Sequence, residues 1–210
     1  YCLLGPPLLF VLIELWNERI FMLDSPEEGH PDCCCCASCC EPHVCRLRRC
    51  FITLSHAFSL FAFGVSLTLL LTEILKRHVG RFRPHFLAVC RTNTSVLLDC
   101  QRAQLTGAVY RALSTDDSFC TEDASSVEDA RLSFPSGHAS LSVYAMLVLS
   151  VYVEVRVTTL RFRYAKAFVQ LTAAIASLAT CASRVADYWH HPGDVVAGAL
   201  LGATVALYVM

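Results

Sequence analysis

Five apolar runs, each close to the length of a membrane crossing, limit what this chain can fold into more than any other feature. They cover roughly residues 2–23, 51–75, 139–155, 165–182 and 195–210. A span needs about 20 predominantly apolar residues, and ends that extend into flanking residues bring each run near that length. The first run is the weakest, because it contains Pro6-Pro7 and Glu14. A buried core helix is the alternative for any one run. Five of them in 210 residues that are 55% hydrophobic, with a mean hydropathy of +0.49, point instead to an all-α, polytopic transmembrane helical bundle. The net charge of −1 argues against a bulk attraction to nucleic acid, so none is expected as a partner. The chain starts at Tyr1, no signal peptide is visible, and the last run has 16 residues, so the expectation is a piece of a longer protein.

Charge in the loops sets the expected orientation. The 156–166 connection holds Arg156, Arg161, Arg163 and Lys166, whereas 184–194 holds Arg184 alone. The positive-inside rule places the first in the cytosol. By alternation the 24–50 loop is cytosolic, and the 76–137 and 184–194 loops face the outside or an organelle lumen. The long loop is itself basic, but long loops translocate largely regardless of charge. It carries the glycosylation sequon Asn93-Thr94-Ser95, which agrees with that side. The thirteen cysteines divide by the same topology. Cys33, Cys34, Cys35, Cys36, Cys39, Cys40, Cys45 and Cys50 fall in the reducing compartment, where S-palmitoylation, an unmodified loop and a metal site are the open alternatives. Cys90, Cys100 and Cys120 fall on the oxidising side, where one disulfide is expected and its pairing is open.

Three stretches, all on the same side by this count, carry groups suited to a phosphate monoester. In the first, Lys76 and Arg83 are seven residues apart, two turns of a continuing helix, so both are predicted on one face with Pro84 ending the helix. Snorkelling of basic residues to the interface is the rival reading of this stretch. In the second, Pro135-Ser136-Gly137-His138 precedes a helix whose first N–H groups form an anion site. There the Ser136 hydroxyl can add a donor and His138 can deliver a proton. In the third, Ser183-Arg184 ends one helix and His190 with Asp194 leads into the next. Arg184 offers a planar fork for phosphate oxygens. The His190–Asp194 spacing allows the carboxylate to bond one ring nitrogen and leave the other free as a nucleophile, with His191 a competitor by position.

These stretches resemble the three signature motifs of the type 2 phosphatidic acid phosphatase superfamily. The flanking residues Gly80-Arg81-Phe82-Arg83-Pro84-His85-Phe86-Leu87, Arg131-Leu132-Ser133-Phe134 and Asp187-Tyr188-Trp189-His190-His191 resemble its lipid phosphate phosphatase branch. The resemblance covers essentially the whole chain. It implies one membrane-embedded domain over 1–210, truncated at the N-terminus and the C-terminus, with six helices in the full protein and the first missing here. The Cys-rich cytosolic loop is then 24–50 and the extracytosolic loop 76–137.

The resemblance also implies a phosphatase that needs no metal and no other cofactor. His190 would be the nucleophile that forms a phosphohistidine, Asp194 would orient it, and His138 would be the acid and then the base. Lys76, Arg83 and Arg184, with Ser136 and Gly137, would hold the phosphoryl oxygens. The implied substrates are phosphatidate, lysophosphatidate, sphingosine 1-phosphate and ceramide 1-phosphate, met in the bilayer of the plasma membrane, with homo-oligomerisation left open. The alternative is a catalytically silent lipid-phosphate-binding signalling protein of the same fold. Against it, relatives of that kind have replaced catalytic residues, and here none is replaced.

Overall fold

The structure is a computed structural model that describes residues 5–24, 42–91 and 120–210, without the side chains of 17–24 and 42–46. Asn93, Cys100 and the cysteines from Cys33 to Cys45 bear expectations on side chains that lie outside this description. The described elements are helices: α1 (Gly5–Asp24), α2 (Pro42–Val79), α3 (Phe86–Cys90), α4 (Ala124–Ala130), α5 (Gly137–Arg156), a single 3-10 turn at Leu160–Phe162, α6 (Arg163–Ala186) and α7 (Pro192–Val209).

Four helical stretches are long and apolar enough to cross a membrane: Leu47–Val79, Gly137–Arg156, Leu160–Ala186 and Pro192–Val209. The fifth expected crossing does not qualify among the described residues. Although α1 has 20 residues, its described apolar part, Gly5–Trp16, is shorter than a span. Pro6 and Pro7 do not interrupt this helix, because they sit in its first turn, where a missing N–H removes no hydrogen bond. Glu14 is buried yet fully partnered. It accepts from Tyr152 Oη at 2.6 Å and from Arg156 Nε and Nη2 at 2.5 and 2.6 Å, all on α5. A charge in an apolar helix persists only when paired in this way.

The bundle is organised around α5, which packs against α1, α2, α6 and α7. Lipid tails are as apolar as leucine, so tight packing and a few polar contacts between helices hold such a bundle together. Two glycines of α7 let its backbone lie directly against that of α5. A methyl group on Gly198 would collide with the carbonyl oxygen of Ser136, and one on Gly202 with that of Ser140. Thr72 of α2 and Ser140 of α5 share a buried hydroxyl–hydroxyl bond of 3.1 Å. Leu171, Leu178, Leu200 and Leu207 lie on the outer surface, as lipid-facing side chains must.

The segment after α2 positions the site. Helix α2 stops at Val79 because Gly80 adopts φ +56°, a left-handed conformation that costs glycine little, and its N–H caps Lys76 O at 3.1 Å. Pro84 is therefore not the terminator, and Lys76 and Arg83 do not share a helical face. Arg83 lies in the irregular stretch beyond, held by its N–H to Ala130 O at 2.9 Å. There Phe86, Cys90, Val127 and Ala130 form a small second core between α3 and α4. The disulfide left open by the sequence joins Cys90 to Cys120 and staples this subdomain.

The contact between α5 and α7 carries a prediction. Gly198→Ala should force α7 off the start of α5 and, through the 3.0 Å bond from Ser136 N–H to Asp194 O, displace the residues around Asp194. A misplacement of about 1 Å can cost about 10² in rate, and overpacking costs about 1–3 kcal/mol in stability. Turnover and thermal unfolding of the full-length variant measure both. Wild-type values for both would disprove this close approach.

Candidate active site

Four helix ends converge: the C-terminal ends of α2 and α6 and the N-terminal ends of α5 and α7. The structure brings the three sequence stretches together there. The positive charges of Arg184, Lys76 and Arg83 all act on His138, and those of Arg83 and Lys76 act on His190. Lys76 Nζ lies 3.9 Å from where a Cβ of Gly137 would be, which puts the ammonium beside the start of α5.

His138 is the second residue of α5 and remains accessible. Ser136 is the N-cap of that helix and is fully buried, its Oγ accepting from Ala139 N–H at 3.5 Å. A hydroxyl that accepts still has its own hydrogen to donate. The first N–H groups of the helix have no intrahelical partner and carry the positive end of its dipole, which suits an anion.

His190 is buried, and its Nδ1 lies 2.8 Å from the carbonyl oxygen of Ser133. A carbonyl can only accept, so Nδ1 carries the hydrogen and Nε2 of the neutral ring keeps its lone pair. Burial, opposed by the Ser133 bond and helped by the charge of Arg83, pushes the His190 pKa down to about 4. The ring is therefore neutral across the physiological range, the state a nucleophile needs. His191 is differently committed. Its Nε2 donates to Phe82 O at 3.1 Å, and the residue is the N-cap of α7, in a capping box with Asp194. Its Nε2, the atom that stays free on His190, is thus occupied, which separates two neighbouring histidines that the sequence could not rank.

Asp194 differs from the spacing-based expectation. No direct carboxylate–imidazole bond forms. Asp194 is fully buried and accepts from Arg81 Nη1 at 2.7 Å, Ser133 Oγ at 2.6 Å and the His191 N–H at 3.0 Å. At the third position of α7 it is the acidic half of a capping box, and that geometry turns it towards the chain before the helix instead of towards His190.

The cations differ in their availability. Arg83 is buried, forms a two-pronged pair with Asp129 at 2.8 and 2.9 Å, and lies 5.0 Å from the ring centre of Trp189. Its Nε is buried without a hydrogen-bond partner. Lys76 contacts Glu73 at 3.2 Å. Among the described residues, the Arg184 side chain makes only long contacts, 3.3 Å to Ser183 and 3.4 Å to Asp187. Sequence reasoning missed Arg81, Ser133 and Asp129 as site residues. Arg81 and Ser133 stand within the flanking residues that carried the resemblance, but nothing in their spacing marked them.

The description "PAP2 superfamily" belongs to a family model that matches residues 57–210. Phospholipid phosphatase 1 of Rattus norvegicus is 36% identical over 158 residues, 75% of this chain and 52% of that protein. Phospholipid phosphatase 2 of Homo sapiens is 37% identical over 146 residues, 70% of this chain and 47% of the other. Phospholipid phosphatase-related protein type 1, also of Homo sapiens, is 34% identical over 149 residues, covering 71% and 43%. The chain spans about half the length of these curated relatives. No solved structure matches it.

Proposed function

The chain belongs to the PAP2 superfamily, and from that premise we propose that it is the core of an integral membrane phosphatase that hydrolyses lipid phosphate monoesters through a phosphohistidine. The observation that carries this reading is the free Nε2 of a neutral, buried His190 among the charges of Lys76 and Arg83. The Nε2 lone pair attacks phosphorus. The P–O ester bond breaks with its electron pair going to the lipid oxygen, which takes a proton from His138. In the second half, water gives a proton to His138 and attacks phosphorus, and the P–N bond electrons return to Nε2. Arg184, Lys76 and Arg83, with the N–H groups at Gly137 and the Ser136 hydroxyl, hold the three phosphoryl oxygens. Phosphoryl transfer is mostly positioning plus electrostatic stabilisation, so fixed cations can serve where other enzymes use Mg²⁺.

The proposed substrates are phosphatidate, lysophosphatidate, sphingosine 1-phosphate and ceramide 1-phosphate. The site opens at one end of the bundle, where a headgroup at the bilayer surface meets it. We place that end on the extracellular or lumenal side of the plasma membrane. The loop charges support this side, and so does a disulfide in the adjoining subdomain, since disulfides persist in oxidising compartments.

Phosphate release from lysophosphatidate by the full-length protein in membranes is expected to be unchanged in excess EDTA. Loss of release that Mg²⁺ restores would overturn the metal-independent reading. Absence of release from folded protein under every condition would favour the silent, lipid-binding alternative, which the likeness to a phosphatase-related protein keeps in play.

A further inference from the structure

The carboxylate of this site does not touch the nucleophile, and the residues that intervene have a definite geometry. We propose that Ser133 and Arg81 are the positioning residues through which Asp194 orients and polarises His190; this rests on His190 being the nucleophile. Ser133 contributes twice. Its carbonyl accepts the Nδ1 hydrogen at 2.8 Å, and its Oγ lies 3.4 Å from the same nitrogen. The hydrogen of that hydroxyl is given to Asp194 Oδ2 at 2.6 Å. Oγ therefore presents lone-pair density, not its hydrogen, to Nδ1. At 3.4 Å this second contact is weak, so the carbonyl fixes the ring while the hydroxyl conveys the negative charge behind it.

That charge matters once Nε2 has taken the phosphoryl group. The ring then keeps its Nδ1 hydrogen and bears a positive charge in a buried place, because Nε2 has given its lone pair to phosphorus and no proton has left the ring. An anion one hydroxyl away stabilises this state and the transition state leading to it. Arg81 secures the anion. Its Nη1 bonds Asp194 Oδ1 at 2.7 Å, on the carboxylate oxygen that Ser133 does not use. Arg81 is also half-exposed at the rim, and its hydrogen bond fixes the carboxylate plane so that Oδ2 meets Ser133. Arg81 thus acts on Asp194, and Arg83, two residues later, acts on the histidines.

The test uses the full-length protein in membranes with Ser133→Ala, Ser133→Thr, Arg81→Gln, Arg81→Lys and His190→Ala. Phosphoenzyme formation is followed by rapid quench with ³²P-lysophosphatidate, and inhibition by inorganic phosphate reports the oxyanion pocket. Ser133→Ala and Arg81→Gln should each slow phosphoenzyme formation about 10–100-fold, the usual cost of losing a partner behind a histidine ligand. Inhibition by phosphate should stay within about twofold of wild type. Ser133→Thr should restore the rate, because it keeps the hydroxyl, and Arg81→Lys should restore part of it. Wild-type rates in both Ser133→Ala and Arg81→Gln would overturn the proposal. So would a loss of phosphate inhibition in Arg81→Gln, since Arg81 would then be holding the phosphoryl group itself. A Ser133→Ala defect that Ser133→Thr does not repair would reduce Ser133 to a structural role and overturn it too. His190→Ala separates the premise: a phosphoenzyme formed without His190 would remove the nucleophile assignment, whatever the other variants do.

Discussion

His190→Ala is expected to abolish turnover, with a loss of at least about 10⁴-fold, as removal of the nucleophile does in other covalent mechanisms. The neighbouring substitution is the control. His191→Ala should keep most of its activity, because His191 serves the chain: its Nε2 donates to Phe82 O and the residue is the N-cap of α7. Its cost should appear in stability, about 0.5–2 kcal/mol for a lost N-cap. The contrast is sharper than a single knockout, since the two residues are neighbours in the same loop. Near-normal activity in His190→Ala together with loss in His191→Ala would reverse the nucleophile assignment. The pH dependence follows from the same burial. With the His190 pKa pushed down to about 4, its neutral form is the dominant one well below pH 6.5, and it becomes protonated only as pH falls through about 4. An acid limb near 6 in kcat/KM must then come from another group, such as the second ionisation of the phosphate monoester, about 6.

His138→Ala is expected to lower turnover of a lipid phosphate roughly 10²–10⁴-fold, the usual range for a lost general acid or base. The lipid oxygen is a poor leaving group and needs a proton as the P–O bond breaks. An aryl phosphate such as p-nitrophenyl phosphate does not, so its phosphoenzyme should form in His138→Ala at close to the wild-type rate. Breakdown of that phosphoenzyme should stay slow, because the same residue activates water. Burst kinetics with the aryl substrate measures the two steps apart. Equal impairment of formation with both substrates would show that His138 binds the phosphoryl group instead of moving a proton.

Much of the fold was legible because apolar run length is a direct reading of the bilayer: four of the five runs are the four membrane-length stretches among the described residues. The exception is instructive. α1 is helical, but its charged Glu14 is accommodated by Arg156 and Tyr152 from far along the chain, and no local pattern announces such a partner. The end of α2 was misplaced for a similar reason. Pro84 is the stronger helix breaker by sequence, yet Gly80 comes first and its positive φ ends the helix before proline is reached. The residues of the three stretches could be read from their chemistry and order, and the structure brings them to one end of the bundle. Their internal wiring could not. A four-residue interval suggested an Asp194–His190 bond, whereas the capping box turns the carboxylate to Arg81 and Ser133, which come from segments 113 and 61 residues away. Contacts of that range depend on how α5 and α7 pack, and so on Gly198 and Gly202, which a single sequence does not flag.

The central claim is a phosphorylated His190, and the most direct measurement is to trap it. Full-length protein in EDTA would be mixed with ³²P-lysophosphatidate, quenched in alkali within milliseconds, digested, and the labelled peptide sequenced by mass spectrometry. The account predicts an alkali-stable, acid-labile phosphoryl group on His190, formed and lost fast enough to carry turnover. Turnover with no such label, or a label on any other residue, would contradict it.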